Sequence, residues 1–571
     1  MEPDKRIEQL LTTYLVRDNH AASDYFGLIR ELLQVKKTDP SAQTYIDQVY
    51  GLVEDEIISN QAMPVNEINF GTSGWRGTLG KDVFLKSVGS VTEAIVDLYK
   101  LADSDPDLHP HLGVNSFEEA RQRGCLVGWD NRFGGEILGR CVADTLLKHG
   151  FKVYFCGEST TGVLSASLLE LQAAFSVNLT PSHNPLDYGG YKYNAADGGP
   201  AASQLTSFIT DKSRERIDGA AEIETVGISG GGELIQIDSF ALWQQLVDSS
   251  KEVHRIDYRA LIEQVADHPD MEVVIDSVHG ASRLHIKRLL GPAVNKLEHL
   301  RGEPDVTFGG IAPEPSSKNM SMVTERLRKS QKNLKIGAII DPDADRIRFT
   351  DGTSEISMNQ FGAMAYHFLH EYKKLNGMVA KTVATSNLAN SVAATLGEEL
   401  FETKVGFKEF KPVIGKALVY FEESDGISVI GHTPEKDAYI GLLLALDMVV
   451  ATGRSLSEIK RQMDDIYGEF YPDRDGVLVS LKGDDLLKAL AGLEKYEVGS
   501  TVKVGSREKT IKEIISKDGR KMIFEDDSWL MIRPSGTEPK VRFYVESRDP
   551  DGTTLLVEAA KSMLSEIGLL D

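Results

Sequence analysis

Cysteine is almost missing: three in 571 residues, Cys125, Cys141 and Cys156, an odd number with no CxxC spacing. That pattern gives neither a disulfide framework nor a zinc cluster, and it fits a reducing cytoplasm. Positive charge is the second shortage. Lys and Arg number 63 against 86 Asp and Glu, a formal net charge of -23, which argues against a nucleic-acid or anionic-membrane partner. An anionic substrate would then need a locally positive site. Long apolar runs are the third shortage. The opening MEPDKRIEQLLTTY mixes charges into its apolar positions, and the most apolar later stretch, YIGLLLALDMVVATG, is short and carries Asp447. Neither a secretory signal nor a membrane span is expected, and the sequon Asn178-Leu179-Thr180 would not meet the glycosylation machinery.

What remains is an ordinary folding composition, 41% hydrophobic and 26% charged, on a chain too long for one core; its length predicts about four domains. Residues 1–65 place Leu10, Leu11, Tyr14 and Leu15, then Ile29, Leu32 and Leu33, at helical spacing and read as a helical extension without evident chemistry. From Asn66 onward short β-rich runs ending in Gly, Asp, Ser or Pro clusters alternate with helical stretches, the pattern of α/β units. The Gly-rich GISGGGELI, the break after FTDGTSE and the interruption at EFYPDRDG divide the chain. The expected fold is three mixed or parallel-sheet α/β domains (66–226, 227–354 and 355–468) plus a smaller α+β domain (469–571).

Several polar loops close apolar strands, where open α/β sheets keep their ligand sites. NLTPSHNP sets Ser182 beside His183, either as a tight turn or as a nucleophilic serine able to accept a phosphoryl group. KIGAIIDPDADRIR brings Asp341, Asp343 and Asp345 together, and three carboxylates this close repel unless a hard cation such as Mg²⁺ sits among them. A calcium EF-hand is ruled out, because Arg346 and Gly352 stand where that loop needs Gly and Glu. WLMIRPSGTEPK offers Arg533, Ser535, Gly536, Thr537 and Lys540, a hairpin connection or a clamp for a phosphate dianion. INFGTSGWRG supplies Arg76, while ETKVGFKEF and FEESDGISVIGHTPEKD supply Lys408, Glu422, Glu423, Ser424, His432 and Lys436, either solvated charge or groups for a phosphosugar. Together the loops describe phosphoryl transfer to or from a sugar.

In this order TPSHNP, DPDADR, FEESDG and RPSGTEPK closely resemble the serine, magnesium, sugar and phosphate loops of the α-D-phosphohexomutase superfamily, from about Asn66 to the C-terminus. The resemblance implies that the four domains stand around a central cleft, and it implies a Ser182 phosphoryl carrier, with His183, Lys192 and Arg76 as its catalytic neighbours. It implies Mg²⁺ held by Asp341, Asp343, Asp345 and the Ser182 phosphate. Arg346, Thr403, Gly406, Lys408, Glu422, Ser424 and Lys436 would bind the substrate, and Arg533, Ser535, Gly536, Thr537 and Lys540 its other phosphate. The expected reaction is that of a phosphoglucomutase, glucose 1-phosphate to glucose 6-phosphate through glucose 1,6-bisphosphate. Mannose or pentose phosphates are the alternative substrates, and an aspartyl-phosphate phosphatase using Asp341 or a non-enzymatic sugar-phosphate binder the alternative classes. Four positions depart from the family pattern: Pro181, Phe421, Asp425 and Ala438.

Overall fold

The computed structural model describes residues 5–71, 73–218, 231–535 and 540–570. Three helices, Lys5–Tyr14, Tyr25–Lys36 and Ala42–Ser59, precede four sheets. The first sheet runs in the order Trp75–Thr78, Tyr188–Ala195, Phe175–Leu179, Cys125–Trp129, Lys152–Glu158, Glu233–Gln236. The second runs Glu355–Ile356, Ile347–Thr350, Leu334–Ile340, Met271–Asp276, Leu297–Leu300, and the third Leu400–Thr403, Val379–Thr382, Val419–Glu422, Gly426–Val429. The fourth domain is an antiparallel sheet of six strands backed by the helix Gly552–Glu566. The expected architecture of three mixed α/β domains, a smaller α+β domain and an N-terminal helical segment is the one observed.

One connection recurs in all three α/β sheets. A buried strand, parallel to its inner neighbour, turns straight back into an antiparallel strand: Phe175–Leu179 into Tyr188–Ala195, Leu334–Ile340 into Ile347–Thr350, Val419–Glu422 into Gly426–Val429. Such a turn lies at the carboxyl end of a parallel strand, where no helix covers it. These three turns carry the serine, aspartate and glutamate motifs.

Two expected boundaries shift. Strand Glu233–Gln236 pairs in parallel with Lys152–Glu158, so the first sheet extends past the break placed at 227. Of the Gly-rich stretch read as a linker, residues 227–230 lie outside the described residues. Its end is an edge strand, and a largely exposed edge carries no apolar alternation to read. Glu355–Ile356 likewise pairs with Ile347–Thr350 and belongs to the second sheet, moving the break at 354 by two residues. Nor is the N-terminal segment separate. Leu28, Ile29, Leu32, Val49, Val53 and Ile57 are fully or almost fully buried in one core with the first sheet.

The second and third domains share a core threaded by the helix Ala438–Thr452, buried from Ala438 to Val449. Among the described residues no single helix is long and apolar enough to cross a membrane; this helix and Leu456–Tyr467 pass only as a pair bent by 79°. Phe421 also belongs to that core. Its ring covers Gly362 of the helix Met358–Glu371, where an added Cβ would run into it. The departure at Phe421 is therefore a packing pair with Gly362, on the opposite face of the strand from Glu422. Replacing Gly362 with Ala should cost about 1–3 kcal/mol by overpacking, read from denaturant unfolding. The double variant Gly362→Ala/Phe421→Leu should recover part of that loss, and additive losses would contradict the pairing.

Candidate active site

The strand Phe175–Leu179 ends at Thr180, whose hydroxyl accepts from the Ser182 N–H at 2.8 Å and donates to Asp130 at 2.7 Å. Ser182 is fully buried with φ 59°, a left-handed conformation that costs a non-glycine residue on the order of 1–3 kcal/mol and persists only where its surroundings impose it. Arg132 imposes it. Its guanidinium donates to the carbonyls of Ser182 (2.7 Å), Pro185 (2.6 Å), Asn184 and Tyr188 (3.4 Å), and it pairs with Asp130 at 3.3 Å. The loop is thus held by its backbone, leaving the Ser182 hydroxyl to point across the domain boundary.

That hydroxyl donates to Asp341 Oδ2 at 2.9 Å, and its oxygen lies 3.4 Å from His183 Nδ1. Burial, then Arg346 and Arg76, hold the His183 pKa well below the ordinary histidine value, so the ring is neutral at physiological pH. Asp341, Asp343 and Asp345 are all buried and each offers an oxygen within 4.8 Å of the others. Burial and the two neighbouring carboxylates push Asp341 well up; Asp345 is held well down because Lys192, Lys436 and Arg346 outweigh its burial. Lys192 reaches over from the strand Tyr188–Ala195 with Nζ 2.5 Å from Asp343 Oδ2 and 2.7 Å from Asp345 Oδ2. Its burial opposes the charge, but the two carboxylates win and it stays an ammonium.

This donor set fits a hard divalent cation. The remaining oxygens, Asp343 Oδ1 and Asp345 Oδ1, are buried without a hydrogen-bond partner, and all-oxygen carboxylate ligation is what Mg²⁺ prefers. Thr161, which the sequence did not single out, fixes the geometry by donating to Asp343 Oδ2 at 2.6 Å, with its N–H on the Asp343 carbonyl at 2.8 Å. A threonine opening a helix looks like an ordinary first-turn residue, so nothing in the sequence marked it.

Cations surround the triad. Arg346 Nε lies 3.6 Å from Asp345, and Lys436 Nζ lies 3.3 Å from Asp345 and 3.5 Å from Glu422. Arg76 donates to the Asn184 side chain at 2.8 Å; burial and Arg346 push its pKa down to about 10, which leaves it charged. Beyond Arg346 opens a cleft of about 380 Å³, lined among others by Arg346 and Arg348 of the second domain, Glu423 and Asp425 of the third, and Arg474 and Tyr544 of the fourth. Glu423 is held by Thr382 at 2.9 Å and Thr385 at 3.3 Å. Ser424 stands half-buried at the tip of the same turn.

Not every expected group joins this cluster. Lys408 donates to Ser203 of the first domain at 2.8 Å, and Thr403 and Gly406 flank that segment without a described contact to the triad; Phe407 has Lys436 5.8 Å from its ring centroid. Arg533 pairs with Asp518 at 3.2 Å, and Ser535 N–H donates to the Lys540 carbonyl at 2.8 Å, closing the fourth-domain loop. Gly536 and Thr537 lie outside the described residues. Arg474 sits opposite Tyr544 on the paired strands and was missed because a lone arginine in a strand has no signature.

Asp425 has φ 71° and is almost fully buried, its carboxylate accepting from Arg348 at 2.7 Å and its carbonyl from the Ile347 N–H at 2.9 Å. The departure at Asp425 therefore locks the glutamate turn of the third domain onto the strand that follows the aspartate turn. Pro181 sits where Gly190 passes close, and the Ala438 N–H donates to the Ala344 carbonyl at 3.0 Å.

With this geometry in place, four family profiles match in order: phosphoglucomutase/phosphomannomutase alpha/beta/alpha domain I over 111–218, domain II over 251–354, domain III over 357–467 and the C-terminal domain over 479–561. The chain belongs to the phosphoglucomutase/phosphomannomutase family of α-D-phosphohexomutases, enzymes of the isomerase class that move a phosphoryl group within a sugar phosphate. Among curated relatives, it is 26% identical over 506 residues to a phosphoglucomutase/phosphomannomutase of Thermococcus kodakarensis, covering 87% of this chain and 98% of that one. It is 25% identical over 526 residues to a phosphoglucomutase of Staphylococcus haemolyticus, covering 84% and 90%. A phosphoglucosamine/phosphogalactosamine mutase of Sulfurisphaera tokodaii is 24% identical over 507 residues, covering 87% and 98%. Among solved structures, one from Thermus thermophilus assigned as a phosphomannomutase superposes with a TM-score of 0.68 at 26% identity, covering 88% of this chain and 99% of that one. An open form of a Paramecium phosphoglucomutase, parafusin, superposes at 0.65 with 20% identity, covering 89% and 96%.

Replacing Arg348 with Met would leave Asp425 buried without its partner, a loss of about 3 kcal/mol by analogy with other broken buried pairs. The midpoint of denaturant unfolding measures it. The variant Arg348→Lys should lose clearly less, and equal losses would remove the ion pair from the account.

Proposed function

We propose that this enzyme is a phosphoglucomutase, interconverting glucose 1-phosphate and glucose 6-phosphate through a phosphorylated Ser182 and glucose 1,6-bisphosphate. The observation that carries the reading is the Ser182 hydroxyl 2.9 Å from Asp341, beside Asp343 and Asp345 bridged by Lys192. A Mg²⁺ held by Asp341, Asp343, Asp345 and a Ser182 phosphate oxygen would neutralise charge on the moving phosphoryl group. Lys192, Arg346 and Arg76 supply further positive charge around it, and positioning plus charge neutralisation is what phosphoryl transfer chiefly requires.

When the phosphoryl passes from Ser182 to a sugar hydroxyl, the Ser182 Oγ–P bond breaks and the hydroxyl proton ends on Ser182 Oγ. The bisphosphate turns over in the cleft and returns its other phosphoryl to the same oxygen. Arg533, Ser535, Gly536, Thr537 and Lys540 would hold the phosphate that is not moving. Glucose rests on the FEESDG turn: Glu422 beside Lys436 and Glu423 facing the cleft supply acceptors for sugar hydroxyls. Relatives named for mannose, glucosamine and galactosamine phosphates share the family, so the sugar is the part to measure.

Coupled assays with glucose 1,6-bisphosphate as activator should give a higher kcat/KM for glucose 1-phosphate than for mannose, glucosamine or ribose 1-phosphates; any of these exceeding glucose would overturn the sugar assignment. Ser182→Ala should lower kcat by at least about a thousandfold while the protein stays folded. Asp343→Asn should weaken Mg²⁺ binding roughly tenfold or more by isothermal titration and raise the Mg²⁺ needed for half-maximal rate. Unaltered metal dependence would take Asp343 out of the ligand set.

A further inference from the structure

The family profiles begin at residue 111, past the helices before Asn66. These helices touch the serine loop at Asp187 and the segment that clamps it at Phe133. Arg30, on the helix Tyr25–Lys36, places Nη2 2.6 Å from Asp187 Oδ1. Asp187 lies between Pro185 and Tyr188, whose carbonyls bond Arg132, and its own carbonyl accepts from the Leu79 N–H at 2.8 Å. Tyr50, on Ala42–Ser59, packs its ring on Phe133 with centroids 4.5 Å apart, next to Arg132 in sequence. Its hydroxyl is buried without a hydrogen-bond partner and feels the charges of Asp305, Arg132, Arg30 and Asp187.

The second domain supports the same corner. Phe308, at φ 54°, joins the same core as the N-terminal helices and lies under the Arg132 guanidinium, 4.8 Å from its ring centroid. Asn131 donates to the Asp305 carbonyl at 3.3 Å. The segment before Asn66 is itself anchored by the pair of half-buried Lys81 with buried Glu56 at 2.5 Å and by Asn60 on the Gly80 carbonyl at 2.7 Å.

We infer that the N-terminal helices are a brace for the serine loop, with Arg30 and Tyr50 as positioning residues that act on Ser182 through Asp187 and through the Phe133–Arg132 pair. The inference rests on the reading of Ser182 as the phosphoryl carrier. Without the brace, Arg132 still binds the loop carbonyls, but its Phe133 side and the Asp187 corner lose their backing. Ser182 would then visit relaxed backbone conformations that aim its oxygen away from Asp341. That is a loss in rate and not in sugar binding.

Two measurements on the full-length protein test it: hydrogen–deuterium exchange of the segment 180–189 without substrate, and steady-state kinetics. Arg30→Glu is the main variant, because a side chain 48% exposed tolerates replacement and the reversal sets two carboxylates together. Exchange over 180–189 should rise roughly three- to tenfold and kcat should fall by a similar factor, with KM for the hexose phosphate within twofold. Arg30→Lys, and the exchanged pair Arg30→Glu/Asp187→Arg, should restore most of both. Unchanged exchange over 180–189 would overturn the brace, as would faster exchange with an unchanged kcat. A wild type that turned over no hexose phosphate would refute the proposed function instead, and the exchange result would still decide the brace.

Discussion

Three carboxylates meet at the junction of the first and second domains, buried and within 4.8 Å of one another. On their own they repel, and burial strengthens the repulsion. The fold meets this with charge drawn from three segments: Lys192 from the first sheet, Arg346 from the aspartate turn itself, Lys436 from the third domain. Domain placement and the charge balance of the buried triad are therefore one constraint. The pairs that quiet the triad also tie the domains into a common site. A protein of net charge -23 thus sets buried cations where the buried acids are.

Backbone topology puts the triad within reach of the serine. In each α/β sheet the motif occupies the short turn between a buried parallel strand and the antiparallel strand after it, and these turns face one another. Left-handed residues mark all three, at Ser182, Ala344 and Asp425. Such conformations hold only where neighbouring groups impose them. Arg132 does so for Ser182, and Arg348 does so for Asp425.

Much of this was legible in the sequence because tight turns and buried strands leave strong local patterns. Asp341, Asp343 and Asp345 stand out by spacing and the four-domain order by alternating periodicity, whereas the turn around Ser182 reads equally as a structural turn until the four motifs are taken together. What stayed hidden depends on contacts distant in sequence. Phe421 looked like a change beside the sugar-reading groups, yet it fills the space above Gly362, 59 positions earlier in the numbering. Asp425 looked equally disruptive until Arg348 supplied its partner. Thr161 orients Asp343 from a helix start that resembles many others. Strand Glu233–Gln236 escaped because an exposed edge has no apolar face, and the N-terminal helices gave away their periodicity but not what they pack against.

The central claim is that the Ser182 oxygen, aimed at the triad, carries the phosphoryl group. The most direct measurement is peptide mapping by mass spectrometry after incubation with Mg²⁺ and glucose 1,6-bisphosphate. The account predicts one acid-stable phosphate on the peptide containing Ser182, discharged by added hexose monophosphate. An acid-labile acyl phosphate on Asp341, or turnover with no phosphate at Ser182, would contradict it.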